Sequence, residues 1–240
     1  MVQYVYMESQ IHFKEINSTN TYLKENFSTL ADKTVVTADI QTAGRGRFSR
    51  QWISQKGGLY FSILLRPTKT DFIANLTQLM ALSVCRAVEE LGGQPTIKWP
   101  NDVQLKGKKL CGILSEVIAT GQGVSCVIVG VGINVAQTDL SHVGQPAISL
   151  REAGIFIDKN MLLPCVLNYF WQGYEDVLQN GFASLREEYK KRFPYLGKTI
   201  SVRNGAADTT GMVTDISPAG ALLLNAGNGP KEILIGDLIV

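Results

Sequence analysis

The segment Gly44-Arg45-Gly46-Arg47 alternates two glycines with two arginines. Glycine lets backbone N–H groups approach an anion closely, and a guanidinium forms paired hydrogen bonds with a carboxylate or a phosphate. The segment therefore predicts an anion-binding loop. Two other interpretations stay open for the loop alone. It could be a solvated surface loop, or it could bind RNA or single-stranded nucleic acid through arginine and aromatic side chains.

The segment Lys98-Trp99-Pro100-Asn101-Asp102 brings an ammonium, an amide and a carboxylate into one short stretch. A residue before proline favours extended backbone. We therefore expect Asn101 and Asp102 to emerge at the end of a strand, where active-site residues often lie. The alternative is an ordinary turn, in which Asn and Asp are common residues.

Two lysines, Lys108 and Lys109, begin a strand whose interior is apolar. At least one of them is expected at the mouth of that strand, because a lysine is rarely buried without a partner. A charged hairpin turn is the alternative interpretation.

Common nucleotide-binding motifs are missing from the sequence. The segment Gly130-Val131-Gly132 lacks the third glycine of the dinucleotide fingerprint, and no predicted helix follows it. There is no G-x-x-x-x-G-K-[ST] loop, so a triphosphate would have to bind without one. His12 and His142 are isolated, and no nucleophile triad is recognisable.

The spacing of apolar residues and turn residues predicts a mixed α/β fold. Strands are predicted at about residues 11–16, 34–38, 59–65, 96–99, 109–118 and 125–135, and helices at about 18–26, 71–91, 161–178 and 182–192. Beyond Pro194, short β-like runs at 199–202, 211–216 and 221–224 predict a small barrel-like domain. The predicted domains are residues 1–194 and 195–240.

The composition is that of a globular protein. Of the 240 residues, 45% are hydrophobic, and the net charge is +2, which does not favour a strongly cationic nucleic-acid binder. The first residues do not resemble a signal peptide, and the longest apolar run, at 124–136, is too short for a membrane helix. The four cysteines are scattered and are typical of a reduced protein rather than a metal site. We expect a cytoplasmic protein without a membrane partner.

Six motifs in order closely resemble the biotin protein ligase family. They are Ser18-Thr19-Asn20, QTAGRGR from Gln41, KGGLYFS from Lys56, KWPND from Lys98, KKLCGILSE from Lys108 and GVGINV from Gly130. The resemblance covers nearly the whole chain and implies a catalytic domain like that of class II synthetases. The segment GMVTDISPAGALLL, from Gly211, resembles the small C-terminal SH3-like β-barrel of that family.

The resemblance implies a two-step reaction. The carboxylate of biotin attacks the α-phosphorus of ATP to give biotinyl-5'-AMP. A lysine of a biotin carboxyl carrier domain then attacks this mixed anhydride. Fixed cations and Mg²⁺ would offset the repulsion between a carboxylate and a polyphosphate.

The resemblance also implies roles for particular residues. Residues implied to bind biotin are Ser18, Thr19, Asn20, Gln41, Gly44, Arg45, Trp52, Gly112, Gly130 and Gly132. Residues implied to bind the nucleotide are Arg45, Arg47, Asn101, Lys109 and Asn134, with the loop at 137–150 nearby. Catalytic roles fall to Arg47, Lys109, Lys98 and Asp102, with Asp102 orienting the incoming lysine amine. The sequence does not identify metal ligands.

The chain departs from the family pattern at two positions. Ser49 stands where glycine is common, and Cys111 where alanine is usual. Serine tolerates a positive φ less well than glycine does, so Ser49 puts the path of the loop in question. Neither change removes a proposed ligand or charge.

Two other functions share features with this interpretation. A lipoate or octanoate ligase would have the same fold and an acyl-lysine product. A biotin-sensing repressor would need a DNA-binding module of roughly 50 to 60 residues, and only about ten residues precede the first predicted strand. Direct DNA binding is therefore not expected. The sequence leaves the oligomeric state open, with a homodimer among the options.

Overall fold

A seven-stranded sheet forms the larger part of the molecule. The computed structural model describes residues 9–121, 123–205, 207–227 and 229–239. The strands of this sheet are β1 (Gln10–Ile16), β2 (Val35–Gln41), β3 (Leu59–Leu65), β4 (Pro95–Lys98), β5 (Asp102–Leu105), β6 (Lys108–Thr120) and β7 (Gly123–Ile133). Their order is β1-β2-β3-β7-β6-β5-β4, and β1 runs parallel to β2 while the other pairs are antiparallel. The predicted mixed α/β fold is confirmed, and its sheet is mixed.

Helices cover both faces of this sheet. Helices α2 (Leu76–Glu90) and α3 (Lys159–Asn180) pack on one face, in a core that contains Val35, Ile63 and Val127. Successive strand residues point to opposite faces, so Val36, Leu64 and Ile128 face the other way. There they pack against Leu23 of helix α1 (Thr19–Asn26). Helix α1 is short and leaves part of its face of the sheet uncovered.

A second, five-stranded antiparallel sheet follows helix α4 (Arg186–Lys191). Its strands are β8 (Thr199–Asn204), β9 (Ala207–Ile216), β10 (Leu222–Ala226), β11 (Gly229–Ile233) and β12 (Asp237–Ile239), in the order β11-β10-β9-β8-β12. Its apolar residues belong to the same hydrophobic core as α2 and α3. The indole Nε1 of Trp99 donates to the Gly220 carbonyl at 3.0 Å, which joins the two sheets beside the site described below.

The structure corrects three of the predicted elements. The sequence predicted no strand between those at 96–99 and 109–118, but β5 lies there, so Asp102 begins a strand. Helix α2 begins at Leu76, and a 3₁₀ turn (Ile73–Asn75) precedes it, because Asn75 turns its side chain to Gln78 and to the Ala219 carbonyl. The predicted helix at 182–192 is a 3₁₀ turn followed by α4.

No helix in the described ranges is long and apolar enough to span a membrane.

Candidate active site

One cleft opens on the face of the large sheet that α1 leaves partly uncovered. It gathers the start of α1, the end of β2, the loop at 44–52 and parts of β5, β6, β7 and β12. Predicted site residues that line it are Ser18, Thr19, Asn20, Gln41, Arg45, Arg47, Trp52, Asn101, Asp102, Lys109, Gly112, Gly130 and Gly132. Residues far apart in the sequence therefore meet in one place.

One end of the cleft is polar and uncharged. Ser18 caps α1, and its hydroxyl accepts from the Thr21 N–H. The next residue, Thr19, donates its backbone N–H to Gln41 Oε1 at 2.9 Å, and Gln41 Nε2 donates to Ser54 Oγ at 2.8 Å. The cap therefore fixes the position of the first residues of α1, and the hydrogen bond from Thr19 fixes the side-chain amide of Gln41.

The polar end continues beneath the cleft as a chain of short hydrogen bonds. Thr19 Oγ1 lies 2.6 Å from Ser62 Oγ, which donates to Asn20 Oδ1 at 2.6 Å. Asn20 Nδ2 in turn donates to Glu116 Oε2 at 2.9 Å. Arg45 also reaches Glu116, with Nη1 3.0 Å from Oε1. Ser62 and Glu116 were not among the predicted site residues.

Glycines make room for the side chains at the middle of the cleft. Gly112 of β6 and Gly132 of β7 are cross-strand partners, and the indole of Trp52 lies on both. A methyl group at Gly112 would lie 2.7 Å from Trp52 Cζ3, and one at Gly130 would overlap Asn20 Oδ1. Side chains at these positions would expel the groups that line the cleft. The Trp52 Nε1 is buried and has no hydrogen-bond partner among the described residues.

The other end of the cleft carries charge. Lys109 Nζ lies 2.8 Å from Asp102 Oδ2 and 5.3 Å from the centre of the Trp52 ring. The second oxygen of Asp102 is buried and has no hydrogen-bond partner in the part of the chain that the structure describes. A buried carboxylate oxygen without a donor can accept a hydrogen bond from a ligand.

Arg47 reaches the charged end from the glycine-arginine loop. Its Nη1 donates to Asn101 Oδ1 at 2.9 Å, and Asn101 is itself held by Ile113, its Nδ2 donating to the carbonyl at 2.9 Å. Burial lowers the pKa of the Arg47 guanidinium, and the nearby carboxylates of Asp237 and Asp102 oppose that shift. An arginine stays protonated in such a site, so Arg47 is a fixed positive charge.

The second sheet contributes Asp237 to this cleft. Asp237 Oδ1 lies 3.4 Å from Arg47 Nη1, and Oδ2 pairs with Arg50. The Gly236 carbonyl also accepts from Arg47 Nη2 at 3.2 Å. The sequence motifs did not indicate Asp237, because it lies 190 positions after Arg47 and only folding brings the two together.

The loop itself takes an unusual backbone path. Phe48 and Ser49 both have left-handed φ values, of 52° and 60°. Non-glycine residues adopt this region at a cost of roughly 1–2 kcal/mol each. The question raised by Ser49 is thus answered: serine adopts the positive φ there. The flanking arginines hold the loop, through Asn101 and Asp237.

Three predicted site residues do not line the cleft. Gly44 is buried behind it, where a Cβ would lie 2.7 Å from Ser54 Oγ. Lys98 pairs in register with Asp102, and burial lowers its pKa. Asn134 is buried; its backbone N–H donates to the Leu110 carbonyl at 2.9 Å. All three lie next to residues that line the cleft, but they do not form part of the cleft wall.

The predicted nucleotide loop at 137–150 borders the cleft. Gln145 lines it. The loop is attached to β6 through two backbone bonds of Lys109, whose N–H donates to the Pro146 carbonyl at 2.9 Å and whose carbonyl accepts from Ile148 at 3.0 Å. Ser149 Oγ donates to the Gln137 carbonyl at 2.7 Å.

Family models match most of the chain. One, described as "Biotin/lipoate A/B protein ligase family", matches residues 12–134, and another, "Biotin protein ligase C terminal domain", matches residues 195–239. A "Biotin--[acetyl-CoA-carboxylase] ligase" of Paracoccus denitrificans is 34% identical, over 90% of this chain and 94% of its own length. The chain belongs to the biotin protein ligase family. Residues of five of the six motifs line the cleft, and family membership therefore makes this cleft a candidate active site.

Two further relatives show the shared fold and how much of each chain is matched. A biotin protein ligase from Aquifex aeolicus, solved "in complex with biotin and ATP", superposes with a TM-score of 0.86 at 34% identity, covering 97% of this chain and 98% of that chain. The "Bifunctional ligase/repressor BirA" of Bacillus subtilis is 37% identical over 85% of this chain. The match spans 65% of the length of that relative.

Proposed function

We propose that this protein joins biotin to a lysine of a biotin carboxyl carrier protein, with ATP as the source of energy. The observation that carries the proposal is the cleft itself. A neutral hydrogen-bonding end, at Thr19 and Gln41, and a cationic end, at Arg47 and Lys109, line one continuous space. Biotin has the same division, with a neutral ureido ring at one end and a carboxylate at the other.

Biotin would bind with its ureido group at Thr19 and Gln41. A neutral group rich in N–H and C=O needs several aligned donors and acceptors when it leaves water. Ser18, Thr19 and Gln41 offer them and are fixed by α1 and β2. Trp52 and the glycines at 112 and 132 would line the apolar middle of the ligand.

In the first step the biotin carboxylate attacks the α-phosphorus of ATP; the acyl–phosphate anhydride bond of biotinyl-AMP forms as the bond between the α-phosphorus and the bridging oxygen breaks, and pyrophosphate leaves. Both reactants are anions, so the barrier falls when fixed cations lie between them. Arg47 and Lys109 would hold the carboxylate and the α-phosphate in line. Lys98, which is close to Asp102 but behind the surface, would add positive potential.

In the second step the carrier lysine attacks the acyl carbon and AMP leaves. The amine must lose a proton to become an amide nitrogen, and a carboxylate within hydrogen-bond reach can orient the amine and accept that proton. Asp102 suits this role because its Oδ1 has no partner among the described residues, while Oδ2 stays with Lys109.

The nucleotide would lie towards Asn101, Asn134 and the loop at 137–150. Within the described ranges, no cluster of three or more His, Cys, Asp or Glu side chains could hold a metal ion. The two carboxylates in the cleft, Asp102 and Asp237, are both paired with cations. We infer that Mg²⁺ enters with ATP and is held mainly by its phosphates, as is common for this ion.

We also place the division between the two domains at residues 194 and 195. The seven-stranded sheet ends before this position and the five-stranded sheet begins at Thr199. The two sheets share one hydrophobic core, so this division separates two sheets and not two separate cores.

The proposal is tested with purified protein, biotin, Mg²⁺-ATP and a carrier domain. We expect pyrophosphate release with biotin and ATP alone, and a mass increase of one biotin on a single carrier lysine when the carrier is added. The same assay with lipoate or octanoate tests the alternative substrate. Transfer of those acids in place of biotin would overturn the proposal.

Asp102→Asn separates the two steps. We expect biotinyl-AMP to form at a rate close to that of the unchanged protein, because the cations remain. We expect transfer to the carrier to slow by about 100-fold or more, the usual effect of losing a general base. Single-turnover measurements with preformed biotinyl-AMP check this. Equal loss in both steps would contradict the assignment, and exposed Asp71→Asn is the matched control.

A further inference from the structure

The indole of Trp52 lies on the floor of the cleft at its middle. The floor here is formed by Gly112 and Gly132, which are cross-strand partners. A Cβ at Gly132 would lie 2.4 Å from Trp52 Nε1, and one at Gly112 would lie 2.7 Å from Cζ3, so the ring is in contact with both strands. A side chain of the protein itself therefore fills the middle of the cleft.

The space that remains in the cleft is small. Its free volume is about 90 Å³, whereas sites for small molecules usually measure about 300–1,000 Å³. Both ends of the cleft lie deep, since Thr19 is 3% exposed and the side chains of Lys109 and Asp102 are 16% and 17% exposed. A ligand that reaches both ends must run along the floor between them, where the indole lies.

No hydrogen bond holds the indole on this floor. Its one polar atom, Nε1, is buried and has no partner among the described residues. A buried donor without a partner is unfavourable, and rotation of the ring towards solvent would relieve it. Lys109 Nζ, 5.3 Å from the centre of the ring, favours the position on the floor. The indole is thus held by packing and by one cation, and a ligand can displace it.

The backbone of Trp52 is fixed on both sides of its side chain. Its N–H donates to the Gly44 carbonyl at 2.9 Å, and its carbonyl accepts from Ser54 Oγ at 3.2 Å. The movement that clears the floor is therefore a rotation of the side chain, with the loop remaining in place.

We propose that Trp52 is a gating residue. With its indole on the floor the cleft excludes the ligand, biotin enters when the indole has rotated away, and the same indole then covers the apolar middle of the bound ligand. This inference rests on the proposed function, in which the ligand is biotin. A residue that only lines a site affects mainly the dissociation rate, whereas a gating residue also limits the association rate.

The test measures association and dissociation of biotin separately, on the unchanged chain, Trp52→Ala and Trp171→Ala. Trp171 is the matched control. It is also half-buried, its Nε1 is buried without a partner in the part of the chain that the structure describes, and Lys33 lies 5.5 Å from its ring, but it belongs to α3. Radiolabelled biotin is mixed rapidly with each protein without ATP, and bound biotin is collected by filtration. The thermal midpoint of each variant checks that it is folded.

We expect Trp52→Ala to raise the association rate constant about tenfold or more, because entry through a minor state is slowed by the fraction of molecules in that state. Dissociation should also be faster, since no ring covers the ligand. Trp171→Ala should leave both rates unchanged. An unchanged association rate in Trp52→Ala would overturn the inference. Failure of the unchanged chain to bind biotin is a distinct result, which would overturn the proposed function together with the inference.

A second measurement needs no variant and keeps the inference falsifiable if Trp52→Ala is unstable. One Hα of Gly112 and one of Gly132 take the places of the Cβ atoms that would meet the indole. Nuclear Overhauser effects are therefore expected between these protons and the Trp52 ring, and saturation with biotin should remove them. Their persistence in the biotin complex would show that the indole stays on the floor, which would overturn the inference.

Discussion

The two ends of the cleft satisfy their polar groups in different ways. At the neutral end, Thr19 donates to Gln41, and Gln41 and Asn20 donate to Ser54 and Glu116, so the polar groups are held by hydrogen bonds within the protein. At the charged end, Lys109 and Arg47 are paired with the carboxylates of the protein itself. The neutral end is thus shaped before a ligand arrives, whereas cations at the charged end must exchange partners when an anion binds.

This contrast indicates which end of the cleft should determine biotin affinity and which should determine the rate of biotinyl-AMP formation. A network that is already formed contributes to affinity at little reorganisation cost. Cations that meet the developing charge contribute to the rate. Substitutions at the two ends should therefore move different measured quantities.

The largest effect is expected from Lys109→Gln. It removes the cation that is 2.8 Å from Asp102 and leaves that partly buried carboxylate without its ion-pair partner. Biotinyl-AMP formation should slow by about 100- to 1000-fold, as when one electrostatic donor of an active site is lost. Biotin affinity without ATP should change little. Exposed Lys108→Gln is the matched control, and pyrophosphate release measures both.

A strong loss of biotin affinity in Lys109→Gln, with the rate of biotinyl-AMP formation preserved, would contradict the difference between the two ends of the cleft.

Arg47→Gly should give the next effect. A charge-assisted contact to the acyl phosphate is worth about 1.5–3 kcal/mol, so biotinyl-AMP should dissociate faster and label lysines of bystander proteins. Rapid filtration measures its retention. Arg50→Ala is the control, because Arg50 pairs with the same Asp237 but its side chain is 62% exposed. Unchanged retention in Arg47→Gly would count against the assignment.

Gly130→Ala should act at the neutral end. The added methyl group would overlap Asn20 Oδ1 and push that amide out of the network. Overpacking of this kind costs about 1–3 kcal/mol, and the loss should appear in biotin affinity rather than in the rate at saturating biotin. Gly121→Ala, on the same hairpin and with nothing within 4 Å, is the control. An unchanged Kd would show that the neutral end tolerates displacement of Asn20.

The smallest effect is expected from Asp237→Asn. Asp237 forms an ion pair with Arg47 that a bound anion would replace. An ion pair of this exposure is worth up to about 1 kcal/mol. Removing the charge of Asp237 should therefore tighten ATP binding by at most about fivefold. Calorimetry with ATP measures this. Asp208→Asn, which removes an exposed pair with Arg203 in the same sheet, is the control. Weaker binding would mean that Asp237 orients Arg47 instead.

Much of the fold and of the cleft follows from the sequence, for local reasons. Alternating and fully apolar runs locate β1, β3 and β7, and Ser18 marks the start of α1. Glycine and arginine in the loop predict anion binding because few other residues combine close backbone approach with a fixed charge. The short strand β5 was missed because four residues between two turns carry too little pattern.

The residues that sequence reasoning missed act over long distances. Glu116 lies in a recognised motif, yet its hydrogen-bond partner Asn20 lies 96 positions earlier. Asp237 meets Arg47 across 190 positions and between two sheets. Such pairs leave no periodicity or spacing, since only the packing of β6 on α1, or of β12 on the loop, brings them together.

The shared core of the two sheets has a consequence for how the molecule loses its structure. Val202, Val213 and Leu224 of the second sheet pack in the same cluster as Leu79 and Phe170 of the helices. Neither sheet can therefore expose its interior without uncovering part of the other. We expect the two sheets to unfold in one cooperative transition. The five-stranded sheet would then be part of the same folding unit as the seven-stranded sheet, and not an independently folding module.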